Sequence, residues 1–82
     1  MKTNKEIVID VRTEDEWNQD GHSEKAVKFP FNRLSSEYEK LKGYDQVTLV
    51  CRSGARAGAA KEMLERAGFK NVINKGPWQN AQ

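Results

Sequence analysis

The chain has 82 residues, with 14 Lys and Arg against 12 Asp and Glu, which gives a net charge of +2. A chain of this length buries a limited core, so we expect a single domain over residues 1–82. Charges this evenly balanced argue against nucleic acid or a membrane surface as a partner. The single cysteine excludes an internal disulfide. Because the chain also has only one histidine, a metal site is unexpected.

The N-terminal residues are polar, and no apolar run is long enough to cross a bilayer. The absence of a signal peptide indicates a cytoplasmic protein, and a periplasmic one if such a peptide had been removed. We expect residues 1–5 to form a loose end. We also expect a monomer.

A near-continuous apolar run over residues 7–11 predicts a strand buried on both faces of a parallel sheet. Asp10 and Arg12 lie at its C-terminal end, and we expect Asp10 to tie loops together by hydrogen bonds. Thr13-Glu14-Asp15-Glu16 is a capping box, which predicts a short helix to about Gln19.

A second short strand is predicted over residues 26–29, followed by a loop over 31–35. Ser35 or Ser36 then caps a helix over roughly 37–42. A strand over 47–51 and a last short strand over 71–73 complete the set.

The helix after the third strand, to about residue 67, is the best specified by the sequence. It carries one apolar stripe with the spacing i, i+3, i+4, i+7. The members of the stripe are Ala60, Met63, Leu64 and Ala67. Gly68, with Phe69 folding back on Leu64, predicts that the helix ends in a Schellman motif.

Strands therefore alternate with helices, and the connections are long enough for right-handed crossovers. We predict a three-layer α/β fold, in which a small, mainly parallel sheet of about four strands is flanked by helices. A functional site is expected at the C-terminal edge of this sheet.

The only cysteine ends the third strand and opens a loop of small and basic residues. The loop residues are Cys51, Arg52, Ser53, Gly54, Ala55, Arg56 and Ala57. Such a backbone can turn several N–H groups toward one point, where the positive end of the next helix also acts. The sequence thus indicates a nucleophilic thiolate facing an anion pocket. The alternative is a small, buried, unreactive cysteine.

Two separated motifs carry a resemblance to a known family. Residues 51–57 resemble the active-site loop of the rhodanese family, the single-domain thiosulfate sulfurtransferases. The strand ending in Asp10-Val11-Arg12, followed by Glu16-Trp17 and Gly21-His22, is similar to the first signature of that family. The resemblance covers about residues 7–78 and is greatest to the short, phage-shock-like type. Residues 23–25 and Pro77 depart from the pattern of the family.

This resemblance implies a rhodanese-like fold and sulfur transfer through a persulfide on Cys51. The donor would be thiosulfate or polysulfide, and the acceptor would be cyanide or a thiol. Cys51 would be catalytic, and residues 52–57 would bind the substrate, with no cofactor and no metal. Arg56 would either orient the donor or point outward as surface charge. His22 is expected to be structural rather than a base for the thiol.

Two alternatives come from other functional classes. The first is a cysteine-dependent phosphatase or arsenate reductase, in which an arginine typically lies six positions after the cysteine. In this chain that position is Ala57, and Arg56 lies five positions on. The second is a non-catalytic binding module that keeps the rhodanese fold.

Overall fold

The computed structural model describes residues 5–82 of the chain. The strands are β1 Glu6–Asp10, β2 Ala26–Lys28, β3 Gln46–Cys51 and β4 Val72–Pro77. The α-helices are α1 Glu14–Asp20, α2 Phe31–Glu37 and α3 Ala55–Arg66, and 3₁₀ turns cover Tyr38–Leu41 and Trp78–Ala81. Within residues 5–82, the helices are all too short or too polar to cross a bilayer.

The strands form one sheet in the order β2-β1-β3-β4, with every neighbouring pair parallel. From β1 the chain first moves to β2, and it then crosses back over β1 to β3 and β4. Right-handed crossovers therefore place α1 on one face of the sheet and α2 and α3 on the other. This arrangement confirms the predicted three-layer α/β fold with a parallel sheet. It also puts the reversal of strand order between β1 and β3, the usual place for a site.

The main core lies between the sheet and the helices α2 and α3. Ile9 pairs with Leu49 in the register of β1 and β3, and both side chains are fully buried. From α3, Ala57, Ala60 and Leu64 are buried against this layer. The helical stripe predicted from the sequence therefore faces the core, and each buried Leu contributes about 1.5–3 kcal/mol of hydrophobic stabilisation.

The end of α3 is the predicted Schellman motif. The N–H of Phe69 donates to the carbonyl of Leu64 at 3.0 Å, and the N–H of Gly68 donates to that of Glu65 at 3.1 Å. Gly68 has a φ of 102°, in the left-handed region that glycine enters at little cost.

The segment after β2 differs from the prediction. Residues 31–35 are helical rather than a loop, since α2 begins at Phe31 directly after Pro30, and no serine caps it. The N–H of Phe31 instead donates to the carbonyl of Val11 at 3.0 Å, and Leu34 is fully buried in the core. The predicted helix over 37–42 is only the 3₁₀ turn Tyr38–Leu41. Tertiary contacts thus move the helix toward the N-terminus of the segment.

The structure also differs from the prediction at both ends of the described chain. Residues 1–4, part of the expected loose end, lie outside the described residues. The carbonyl of Lys5 accepts the N–H of Asp45 at 2.7 Å. At the other end, β4 continues to Pro77, beyond the predicted end at 73. A bulge lets it do so, because Asn74 pairs with Leu49 and Gly76 with Val50.

A buried ion pair joins the end of β1 to the helix that follows. Nη2 of Arg12 lies 2.8 Å from Oδ2 of Asp10, and both side chains are fully buried. The guanidinium also donates to the carbonyl of Gly21 at 2.7 Å and to that of Glu16 at 3.3 Å. Asp10 therefore holds Arg12, and it is the guanidinium of Arg12 that ties the segments around α1 together, whereas the sequence assigned this role to Asp10.

Leu64→Ala should lower the free energy of unfolding by about 2–5 kcal/mol, because it opens a cavity between α3 and the sheet. Urea unfolding followed by circular dichroism measures the loss. Glu65→Ala, on the exposed face of the same helix, should change the value by less than about 0.5 kcal/mol. A loss below about 1 kcal/mol for Leu64→Ala would contradict the described core.

Asp10→Asn should lower the free energy of unfolding by about 3–5 kcal/mol, because it leaves the buried guanidinium of Arg12 without a counter-charge. The same urea titration checks this value. Asp20→Asn removes an exposed acid at the end of α1 and should be nearly neutral. Equal effects of the two substitutions would show that the buried pair does not hold these loops.

Candidate active site

The candidate site is the loop of residues 51–54, which joins the C-terminal end of β3 to the start of α3. Cys51 is the last residue of the strand and is 1% exposed. Its side chain belongs to the core-facing layer that also holds Leu49 and Ala57. The sulfur therefore lies at the base of the loop, and a reaction partner has to enter the loop to reach it.

A backbone hydrogen bond points directly at the sulfur. The N–H of Gly54 donates to Sγ of Cys51 at 2.8 Å. Gly54 has a φ of 98°, in the left-handed region, so the chain turns directly after this N–H and enters α3. An N–H donor at this distance is placed to stabilise negative charge that develops on the sulfur.

The turn at Gly54 is braced by the bulge in β4. The side-chain amide of Asn74 donates to the carbonyl of Gly54 at 3.1 Å, and its Oδ1 accepts the N–H of Gly76 at 2.9 Å. A Cβ on Gly54 would lie 3.3 Å from Cα of Gly76. Sequence analysis did not predict these contacts of Asn74, because this residue lies in a strand twenty positions after Gly54.

The start of α3 leaves backbone donors near the loop. The first hydrogen bond of the helix runs from the N–H of Gly58 to the carbonyl of Gly54 at 2.8 Å. The N–H groups of residues 55–57 precede this bond, so the helix does not use them. Together with the positive end of the helix dipole, they can hold an anion.

The loop residues predicted from the sequence differ in their exposure to solvent. Arg52, Ser53 and Ala55 are exposed around the loop. Ala57, by contrast, is fully buried under α3, so its methyl group packs in the core and only its N–H can serve the site.

Arg56 is paired with a carboxylate from α1. Its Nη1 lies 2.7 Å from Oε1 of Glu16, and its Nη2 donates to Oε2 at 2.8 Å. The two side chains are 36% and 22% exposed. Arg56 is thus held in an ion pair, which the sequence did not predict, and its role toward a donor stays a prediction. The sequence placed Glu16 in the capping box and in the first signature of the family, but did not pair it with Arg56.

The capping box holds the Glu16 carboxylate in place. Oγ1 of Thr13 accepts the N–H of Glu16 at 3.2 Å, and Oε1 of Glu16 accepts the N–H of Thr13 at 3.0 Å. This confirms the predicted start of α1. The hydrogen bond from Arg56, aided by the one from Thr13, lowers the pKa of Glu16 to about 2.

His22, considered from the sequence, lies directly after α1, and Trp78 lies directly after β4. The ring of His22 stacks on Trp17 with centroids 3.9 Å apart, and its Nδ1 lies 3.3 Å from the Trp17 carbonyl. These contacts agree with the expected structural role of His22. The ring of Trp78 lies 5.1 Å from the guanidinium carbon of Arg12, so Trp78 covers the buried ion pair.

An open groove of about 520 Å³ lies between the segment before α1, the start of α2 and Arg56 of α3. Val11, Phe31, Arg33 and Arg56 are among the residues that line it. The part of the chain that the structure describes brings no three His, Cys, Asp or Glu side chains together as a metal site.

Similar chains are found among curated proteins and solved structures. A putative mitochondrial thiosulfate sulfurtransferase of Schizosaccharomyces pombe is 33% identical over 88% of this chain, which spans 60% of that protein. The putative sulfur carrier protein YrkF of Bacillus subtilis is 30% identical over 85% of this chain, which spans 37% of it. The chain thus covers less than two thirds of either relative.

A solved structure described as a rhodanese with anions, from E. coli, superimposes with a TM-score of 0.80 at 27% identity. The superposition covers 92% of this chain and 89% of that one. The family model of the rhodanese-like domain matches residues 1–76. With this match over nearly the whole chain, and the fold and cysteine loop described above, the chain belongs to the rhodanese-like domain family.

Proposed function

We propose that the chain is a sulfurtransferase that carries a sulfane sulfur as a persulfide on Cys51. The donor is thiosulfate or polysulfide, and the acceptor is cyanide or a thiol. The observation that carries the proposal is the hydrogen bond of 2.8 Å from the N–H of Gly54 to the sulfur. A donor fixed at this place stabilises a charged sulfur both before the transfer and after it.

In the first half-reaction the Cys51 thiolate attacks the outer sulfur of thiosulfate. A bond forms between Sγ and that sulfur, and the bond between the two sulfurs of thiosulfate breaks. The electron pair of the broken bond leaves with sulfite, so the total charge is unchanged and no proton or redox partner is needed. In the second half-reaction the acceptor attacks the outer sulfur of the persulfide, and the Cys51 thiolate is regenerated.

The surroundings of the sulfur support small anionic donors. The free N–H groups of residues 55–57 and the positive end of α3 suit both sulfite and an anionic persulfide. Arg52 is exposed on the loop and adds positive charge near the entrance. The 1% exposure of Cys51 favours a donor whose reactive sulfur is terminal and slender over a bulky phosphate ester.

The acceptor has to come from outside this chain, because it has a single cysteine. An internal resolving thiol of the kind found in disulfide-forming sensors is therefore absent from these 82 residues. A similar protein named as a putative sulfur carrier suits the same chemistry, since a carrier and a transferase both need a persulfide on the cysteine.

Brief exposure to thiosulfate should raise the intact mass of the protein by one sulfur atom, and cyanide should reverse the gain. Mass spectrometry measures both steps. Cys51→Ser, with its fold checked by circular dichroism, should gain nothing, because it lacks the attacking sulfur.

A folded wild-type chain that gains no mass would rule out thiosulfate as the donor. Polysulfide would then be tried, followed by a phosphate ester. Hydrolysis of the ester would favour the phosphatase alternative, and inactivity toward all three would favour the binding module.

Gly54→Ala should slow sulfur loading by at least about tenfold, because the new Cβ crowds Gly76 and shifts the N–H that points at the sulfur. Stopped reactions analysed by mass give the rate. Gly68→Ala is the matched control, since Gly68 has the same kind of positive φ but a Cβ added there would meet nothing within 4 Å. Equal loading rates in the two variants would show that the N–H of Gly54 does not assist sulfur loading.

A further inference from the structure

The ion pair between Glu16 and Arg56 joins α1 to α3 beside the end of the loop, at a place that we call the mouth of the loop. Arg56 lies in the first turn of α3, directly beyond the loop, and Glu16 lies in the first turn of α1. The two contacts of 2.7 Å and 2.8 Å engage both terminal nitrogens of the guanidinium. Such a two-point contact holds the guanidinium in one orientation. A lysine in its place would make a single and more mobile contact to the carboxylate.

Arg56 lies within electrostatic reach of the reacting sulfur. The hydrogen bond from Glu16 raises the pKa of Arg56 above its usual value, and the charges of Cys51 and Asp10 act in the same direction. Arg56 thus carries a positive charge five positions after Cys51, in the first turn of the helix into which the loop leads. The carboxylate that pairs with it is ionised at neutral pH, since the pKa of Glu16 is about 2.

We propose that Glu16 is a positioning residue that, by pairing with Arg56, sets how strongly the site discriminates between donors of different charge. With Arg56 neutralised, a dianionic donor such as thiosulfate loses part of its electrostatic advantage. Monoanionic donors with a sulfane sulfur, namely thiosulfonates and organic persulfides, lose less. This inference rests on the proposed sulfur transfer and names the class of donor that the site favours.

Methanethiosulfonate is the matched probe, because it replaces one charged oxygen of thiosulfate by a methyl group. The Cys51 thiolate attacks its terminal sulfur, the bond between the two sulfurs breaks, and methanesulfinate leaves with the electron pair. The total charge is the same before and after this step, and the product is the same persulfide on Cys51. The change between variants in the ratio of kcat/KM for thiosulfate to that for methanethiosulfonate, with cyanide as acceptor, therefore reports the discrimination by charge, since the difference in size and leaving group is the same in every variant.

Glu16→Gln should raise this ratio roughly fivefold, because one full charge near the mouth is no longer cancelled. We expect the change in the KM for thiosulfate, with kcat nearly unchanged, and a steeper fall of kcat/KM with added salt. Glutamine keeps an oxygen that can accept the N–H of Thr13, so the capping box survives. Glu62→Gln breaks an exposed pair with Arg66 elsewhere on α3 and should leave the ratio unchanged.

Arg56→Gln gives a second, opposite test at an exposed position. It leaves the Glu16 carboxylate alone at the mouth, so the ratio should fall below that of the wild type. In the double variant Glu16→Gln/Arg56→Gln the gain of the first substitution should disappear.

An unchanged ratio in both single variants, or a gain that persists in the double variant, would overturn the role of Glu16 while leaving sulfur transfer intact. Failure of both donors to load Cys51 in the wild type would overturn the proposed function and this inference together. The two failures are therefore distinguished by the mass of the wild-type protein.

Discussion

The buried pair of Asp10 and Arg12 is the constraint on which the site edge of the sheet depends. Burying two charges costs several kcal/mol for each ion, and only full hydrogen bonding offsets that cost. Here the guanidinium is satisfied by the carboxylate and by the carbonyls of Glu16 and Gly21. The pair therefore stays buried only while both ends of α1 keep their places beside the end of β1.

The fixed position of α1 has a consequence for the cysteine loop. β1 and β3 are neighbours in the sheet, and the order of strands reverses between them. The start of α1 and the start of α3 consequently meet at one edge, which brings Glu16 within 2.7 Å of Arg56. The buried charges thus hold the partly exposed ion pair in place beside the cysteine loop.

The loop itself combines a buried cysteine with backbone donors that α3 does not use. The sulfur lies at the base, one N–H points at it, and three more precede the first hydrogen bond of α3. Since these donors belong to the backbone, their position is set by the turn at Gly54 and by its brace, Asn74. The chemistry is therefore specified more by the shape of the loop than by its side chains, which suits transfer of a single sulfur atom.

The elements whose signals are local could be predicted from the order of residues alone, whereas the contacts between distant residues could not. The capping box at Thr13 and the Schellman motif at Gly68 each depend on residues within five positions of each other. The stripe on α3, the apolar run of β1 and the place of Cys51 at a strand end follow from side-chain periodicity. By contrast, the start of α2 depends on a hydrogen bond to Val11, which no window of sequence contains. The partner of Arg56 lies forty positions away, because the sheet brings the ends of separate strands to one edge and no periodicity in the chain records that proximity.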